Sequence, residues 1–87
     1  MTDIKQLNGL GPRSQEMLAS AGITHEAELR QLGSVEAYVR VKRAVPGVSL
    51  NLLWAIEAVL TGAPWQQVAR KDRTRLLLAL DDRENMP

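Results

Sequence analysis

The chain has 87 residues, of which 45% are hydrophobic, so it is long enough for one small domain with a packed core. It has no Cys and a single His, which excludes a disulfide framework and leaves no usual set of ligands for a zinc site. Its formal net charge of +1 neither requires nor excludes a nucleic-acid partner.

Glycine and proline divide the sequence into helical segments, and no stretch shows the alternation of a strand. The predicted helices span residues 12–21, 25–32, 35–44, 50–61 and 71–83, with a single helical turn at 64–68. Gly22, Gly33 and Gly62 follow three of these segments, where glycine typically ends a helix. The sequence therefore predicts an all-α fold, a compact array of five to six short helices in one domain over residues 1–87, with its core over 4–83.

Apolar residues cover nearly every side of the segment 50–61, which predicts a helix buried at the centre of the fold. On this helix we expect only Asn51 and Glu57 to face solvent, or Glu57 to pair with a nearby basic residue. Trp54 lies in this helix and Trp65 follows a proline, and we expect both indoles in the core.

The segment 7–14 (LNGLGPRS) has the form apolar-x-Gly-apolar-Gly-x-basic and precedes a helix. It resembles the hairpin of the helix-hairpin-helix superfamily, in which a Gly-x-Gly turn between two helices grips a DNA phosphate. Gly9 and Gly11 can take positive φ and let the backbone approach an anion, while Arg13 and Ser14 can donate to it. Such contacts read the backbone of duplex DNA, so the expected binding is weakly sequence-specific and salt-sensitive.

A purely structural interpretation of the same turn stays open. A Gly-x-Gly turn also reverses the chain tightly between two helices, with Leu10 packed in the core. Pro12 has no N–H, which removes one donor that a phosphate could use.

Basic residues concentrate between residues 40 and 75, where seven of them face two acidic ones, a net charge of +5. Arg40, Lys42 and Arg43, or the cluster at 70–75, are candidates for additional phosphate contacts. The alternative is that these cations solvate helix surfaces and offset the negative end of a helix dipole.

Longer blocks extend the resemblance over nearly the whole chain: LNGLGPRSQE at 7–16, LASAGI at 18–23, LRQLGSVEAY at 29–38, VSLNLLWAIE at 48–57 and LTGAPW at 60–65. In this order they resemble the C-terminal domain of the TfoX/Sxy family. The resemblance implies a helix-hairpin-helix or SAM-like fold and a link to regulators of natural competence, which act as transcriptional co-activators beside a DNA-bound activator. Full regulators carry an α/β domain ahead of this one, so we expect a free-standing version of the C-terminal domain.

Two classes of function remain. The first is a regulatory module that contacts double-stranded DNA through the turn, with these candidate site residues: Gly9, Leu10, Gly11, Arg13 and Ser14, helped by Arg40, Lys42 and Arg43 or by the cluster at 70–75. The second is a module that binds a regulatory protein or itself, with the basic central segment of one copy meeting the acidic end 81–84 of another. An enzyme is not expected, because the chain has no nucleophile–base pair and no metal cluster, and no cofactor is predicted. The N-terminus has no apolar signal segment and no run is long enough to span a membrane, so we expect a soluble, cytoplasmic protein.

Overall fold

The computed structural model describes residues 10–85, which form five helices. They are α1 (Pro12–Ser20), α2 (Glu26–Ala44), α3 (Asn51–Thr61), α4 (Trp65–Lys71) and α5 (Arg73–Glu84). No strand occurs in this part of the chain, which confirms the predicted all-α class. The radius of gyration of 12.0 Å is the size expected of a close-packed domain of this length.

Helix α2 joins two segments that the sequence divides into separate helices. Gly33 interrupts it with φ 81° and ψ 167°, a conformation that glycine adopts without the Cβ clash of other residues. Gly33 therefore interrupts the helix as predicted. No nonhelical segment follows it, since helical structure resumes at Ser34. This abrupt restart places Ser34 in the interior, where its side chain is 5% exposed.

Helix α3 packs against α2 and α4, while α2 contacts α1, α3 and α5. The buried apolar side chains of α3 are Leu52, Leu53, Trp54 and Ile56. The predicted burial of this helix is confirmed, but the helix that contacts the most others is α2. None of the helices within residues 10–85 combines the length and apolarity needed to cross a bilayer.

The expectation that Glu57 faces solvent is wrong, because its side chain is only 11% exposed. The hydroxyl of Ser34 donates to its Oε1 at 2.8 Å, and Nη2 of Arg75 donates to its Oε2 at 2.8 Å. Two hydrogen bonds to an ionised acceptor offset much of the cost of removing a carboxylate from water. The alternative, that Glu57 pairs with a nearby basic residue, is the one the structure shows, and α2, α3 and α5 meet at this group.

The core position expected for Trp65 is also wrong, since its side chain is 54% exposed, whereas Trp54 is buried as expected. Trp65 begins α4, a seven-residue helix whose one buried residue is Val68. So short a helix turns a narrow face inward, and Trp65 falls outside it.

Two ion pairs fasten the end of α5 to α2. Nζ of Lys42 lies 3.1 Å from the carboxylate of Glu84, and the guanidinium of Arg83 donates two hydrogen bonds to Glu36. The acidic end of the chain thus meets the basic central segment within a single molecule.

Candidate functional site at the start of helix α1

The turn before α1 is held by a buried side chain and two hydrogen bonds. Leu10 packs in the core, Nε2 of Gln15 donates to the Leu10 carbonyl at 2.8 Å, and the Gln15 amide donates to the Gly11 carbonyl at 3.0 Å. Leu10 therefore has the core role of the structural interpretation. Its burial also fixes the direction in which α1 leaves the turn.

Gly11 is the N-cap residue of α1, with φ −72° and ψ 169°. The positive φ expected here is wrong, because this extended conformation is open to any residue. Gly11 is exposed, and a Cβ built on it would meet nothing within 4 Å. Its backbone is therefore open to a ligand. Gly9, the other glycine of the predicted motif, lies outside the described residues.

Arg13 and Ser14 occupy the first turn of α1, directly after Pro12. Arg13 is exposed, Ser14 is half-buried, and the first turn contains no acidic residue and no side-chain cap. Amides in a first turn have no partner within their own helix, and those of Arg13 and Ser14 have none among residues 10–85, so they can serve as donors. The structure thus brings a cation and two amides together at the positive end of a nine-residue helix.

The structure does not gather the other predicted cations around Arg13. Arg40 pairs with Glu36 at 3.3 Å, and Lys42 pairs with Glu84. Arg43 is exposed and forms no ion pair with the described part of the chain, and it borders a separate shallow hollow beside Lys42.

A second group of cations lies where α4 meets α5. Arg70, Lys71 and Arg73 are exposed, and within residues 10–85 none of them forms an ion pair. Arg75 differs, because its hydrogen bond to the Glu57 carboxylate raises the pKa of its guanidinium. The basic surface of this corner is therefore limited to the first three.

Arg13 also borders a groove between α1 and α3, with a volume of about 570 Å³, that the sequence did not indicate. Its apolar lining consists of Met17, Val45, Val48, Leu52, Ala55 and Trp65. Its polar lining includes Ser14, Ser49 and Asn51, and Arg13 is the one charged side chain among the described residues that line it. The signal that could have revealed this groove is the Pro46–Gly47 turn, which separates α2 from α3 and forms one wall.

No group of three or more His, Asp or Glu side chains within residues 10–85 is placed to hold a metal ion. The chemistry at the start of α1 is that of noncovalent binding, with donors for an anion beside a surface for apolar groups.

Comparison with known proteins identifies the domain. Residues 1–80 match the family described as the TfoX C-terminal domain. The chain is 29% identical over 79 residues to the DNA transformation protein TfoX of Haemophilus influenzae, an alignment that covers 91% of this chain and 36% of that protein. The chain thus spans about a third of the length of this relative.

A solved structure shows the same fold. The crystal structure of an uncharacterized protein from Listeria monocytogenes superimposes with a TM-score of 0.79 at 25% sequence identity, over 97% of this chain and 96% of that one. The family match covers most of the sequence. The chain belongs to the TfoX C-terminal domain family.

Proposed function

We propose that this chain is a non-catalytic regulatory domain that contacts the backbone of double-stranded DNA through the start of α1. Its relative from Haemophilus influenzae is a DNA transformation protein, which connects the family with the handling of DNA. The observation that carries the proposal is the exposed guanidinium of Arg13 beside an uncapped helix start without acidic residues.

A phosphate group fits this arrangement for three reasons. The amides of Arg13 and Ser14 have no partner among residues 10–85 and can donate to its oxygens, and the helix dipole favours negative charge at the same place. The guanidinium of Arg13 adds a charge-assisted hydrogen bond. The exposed backbone of Gly11 leaves room for the anion to approach.

Other cations extend the contact without determining where it begins. Arg43 and the corner formed by Arg70, Lys71 and Arg73 are exposed and form no ion pair within residues 10–85, so they can contact phosphates. The ion pair of Lys42 is about half exposed, and exposed pairs contribute no more than about 1 kcal/mol, so a phosphate can compete for this residue. Contacts of this kind add affinity without discriminating between base sequences.

The test is fluorescence anisotropy of a labelled mixed-sequence duplex, titrated with the protein at several salt concentrations. Arg13→Gln should weaken binding and lower the dependence of log affinity on log salt by about one unit, because one phosphate contact is lost. Arg30→Gln is the matched control, since Arg30 is also an exposed arginine but pairs with Glu26 on α2. Its affinity should equal that of the wild type.

Two results would contradict the proposal. One is the absence of binding even at low salt. The other is an equal loss of affinity in the Arg13 and Arg30 variants, which would show that overall charge, and not the start of α1, controls binding.

A further inference from the structure

Two large apolar side chains are exposed in the described part of the chain, and they lie on different surfaces. Trp65 is 54% exposed and forms part of the groove between α1 and α3. Leu78 is 63% exposed on the outer face of α5. Exposed side chains of this size are common at sites of protein association.

The surroundings of the two side chains have opposite charge. The groove is mostly apolar, and its one charged residue among those described is Arg13. On α5, Asp81 and Asp82 follow Leu78 by three and four positions and therefore share its face of the helix. We call Leu78, Asp81 and Asp82 the α5 knob.

The carboxylates of the α5 knob are available to form ion pairs with another molecule. Asp81 and Asp82 are exposed and form no ion pair within residues 10–85. The neighbouring Glu84 is instead held by Lys42 of the same chain. Intramolecular pairing thus removes Glu84 from the acidic end and leaves two adjacent carboxylates beside an exposed leucine.

We propose that the groove of one copy of this chain receives the α5 knob of a second copy. Leu78 packs against the indole of Trp65 and the aliphatic floor of the groove, and a knob carboxylate pairs with Arg13 at its rim. The two matching surfaces lie on different parts of one molecule, so we expect a head-to-tail contact in which one copy of a dimer keeps a free groove and the other keeps a free knob. This inference goes beyond the proposed function and does not depend on DNA.

The small size of the two surfaces determines how strongly two copies should associate. Each surface offers one large exposed apolar side chain, so the contact belongs with small, transient interfaces, which bury less than about 1,200 Å² in total. We therefore expect an average mass that rises with concentration and falls with added salt, because the Arg13 pair at the rim is screened.

Complementary variants provide the test. A groove variant (Arg13→Glu with Trp65→Ser) keeps its knob, and a knob variant (Leu78→Ser with Asp82→Lys) keeps its groove. In analytical ultracentrifugation each variant alone should weaken association by at least about tenfold, the equivalent of 1.4 kcal/mol. An equimolar mixture should form a dimer and nothing larger, since one intact groove meets one intact knob.

Controls separate this contact from other effects. Arg70→Glu reverses an exposed, unpaired cation outside the groove and should associate like the wild type. Circular dichroism establishes that every variant is folded. Leu78→Ser should lose self-association and keep its affinity for duplex DNA, so the failure of one proposal does not imply the failure of the other.

Three outcomes would overturn the inference. The wild type could remain monomeric at the highest soluble concentration, which would leave the groove to a different protein. The two variants could associate as strongly as the wild type. The mixture could stay monomeric, which would exclude a head-to-tail contact.

Discussion

Ser34→Ala should lower the free energy of unfolding by about 1.5 kcal/mol, although it removes a single oxygen atom. The hydroxyl donates at 2.8 Å to the Glu57 carboxylate, and both residues are buried. A hydrogen bond to a charged group contributes roughly 1.5–3 kcal/mol, and its loss leaves Oε1 of Glu57 without this donor. The higher helix propensity of alanine returns about 0.5 kcal/mol, which places the net loss near 1.5 kcal/mol. For a domain of this size the melting temperature should fall by about 6–12 °C.

Urea unfolding followed by circular dichroism measures this loss as a lower midpoint at an unchanged slope. Ser20→Ala is the matched control, since the hydroxyl of Ser20 donates to the Glu16 carbonyl on the exposed side of α1. It should change stability by less than about 0.5 kcal/mol. In a Glu57→Leu background Ser34→Ala should no longer destabilise the fold, because the hydroxyl has lost its partner. A loss below about 0.5 kcal/mol for Ser34→Ala in the wild type would refute the assigned role of this hydrogen bond.

Two further predictions concern the α2–α5 contact and the two indoles. The hydrogen bond from Arg83 lowers the pKa of the Glu36 carboxyl below its ordinary value of 4.5, so this stabilisation is complete above pH 4.5 and is lost as the pH falls through the lowered pKa. Glu36→Gln should therefore flatten the fall in stability below pH 4.5, measured as urea midpoints across an acid series, and an unchanged acid slope would contradict it. Trp54→Ala should cost about 3–5 kcal/mol because it empties a core position, whereas Trp65→Ser should cost less than about 1 kcal/mol in the same unfolding assay. Equal losses at the two positions would contradict the exposure assigned to Trp65.

The helices could be predicted from the sequence because their ends are encoded locally. Gly22, Gly33 and Gly62 all adopt positive φ, and each stands where the chain leaves or interrupts a helix. The position of α3 also follows from its composition, since a helix that is apolar on every side has to be buried.

The contacts of Glu57 could not be predicted in the same way. An acidic residue on an apolar helix can face solvent or be buried against partners, and its partners Ser34 and Arg75 lie 23 and 18 positions away. The solvent exposure of Trp65 likewise depends on how narrow the buried face of α4 is. These outcomes depend on tertiary packing, which local patterns do not encode.

The candidate site could likewise be predicted from the sequence only in part. The sequence pointed to Arg13 and Ser14, and the structure places both in the first turn of α1. The sequence also grouped Arg40, Lys42 and Arg43, because they are close along the chain. In the structure two of the three form ion pairs, Arg40 with Glu36 and Lys42 with Glu84. The groove beside Arg13 is formed by three separate parts of the chain, so the turn at residues 46–47 indicates only one of its walls.

The start of α1 and the end of α5 both lie beside the last part of α2. The start of α1 lies beside Val45, at the end of α2, and the end of α5 is fastened to Lys42, three residues earlier on the same helix. A displacement of this end of α2 would therefore be felt at the start of α1 and at the end of α5 together, because close-packed elements transmit strain.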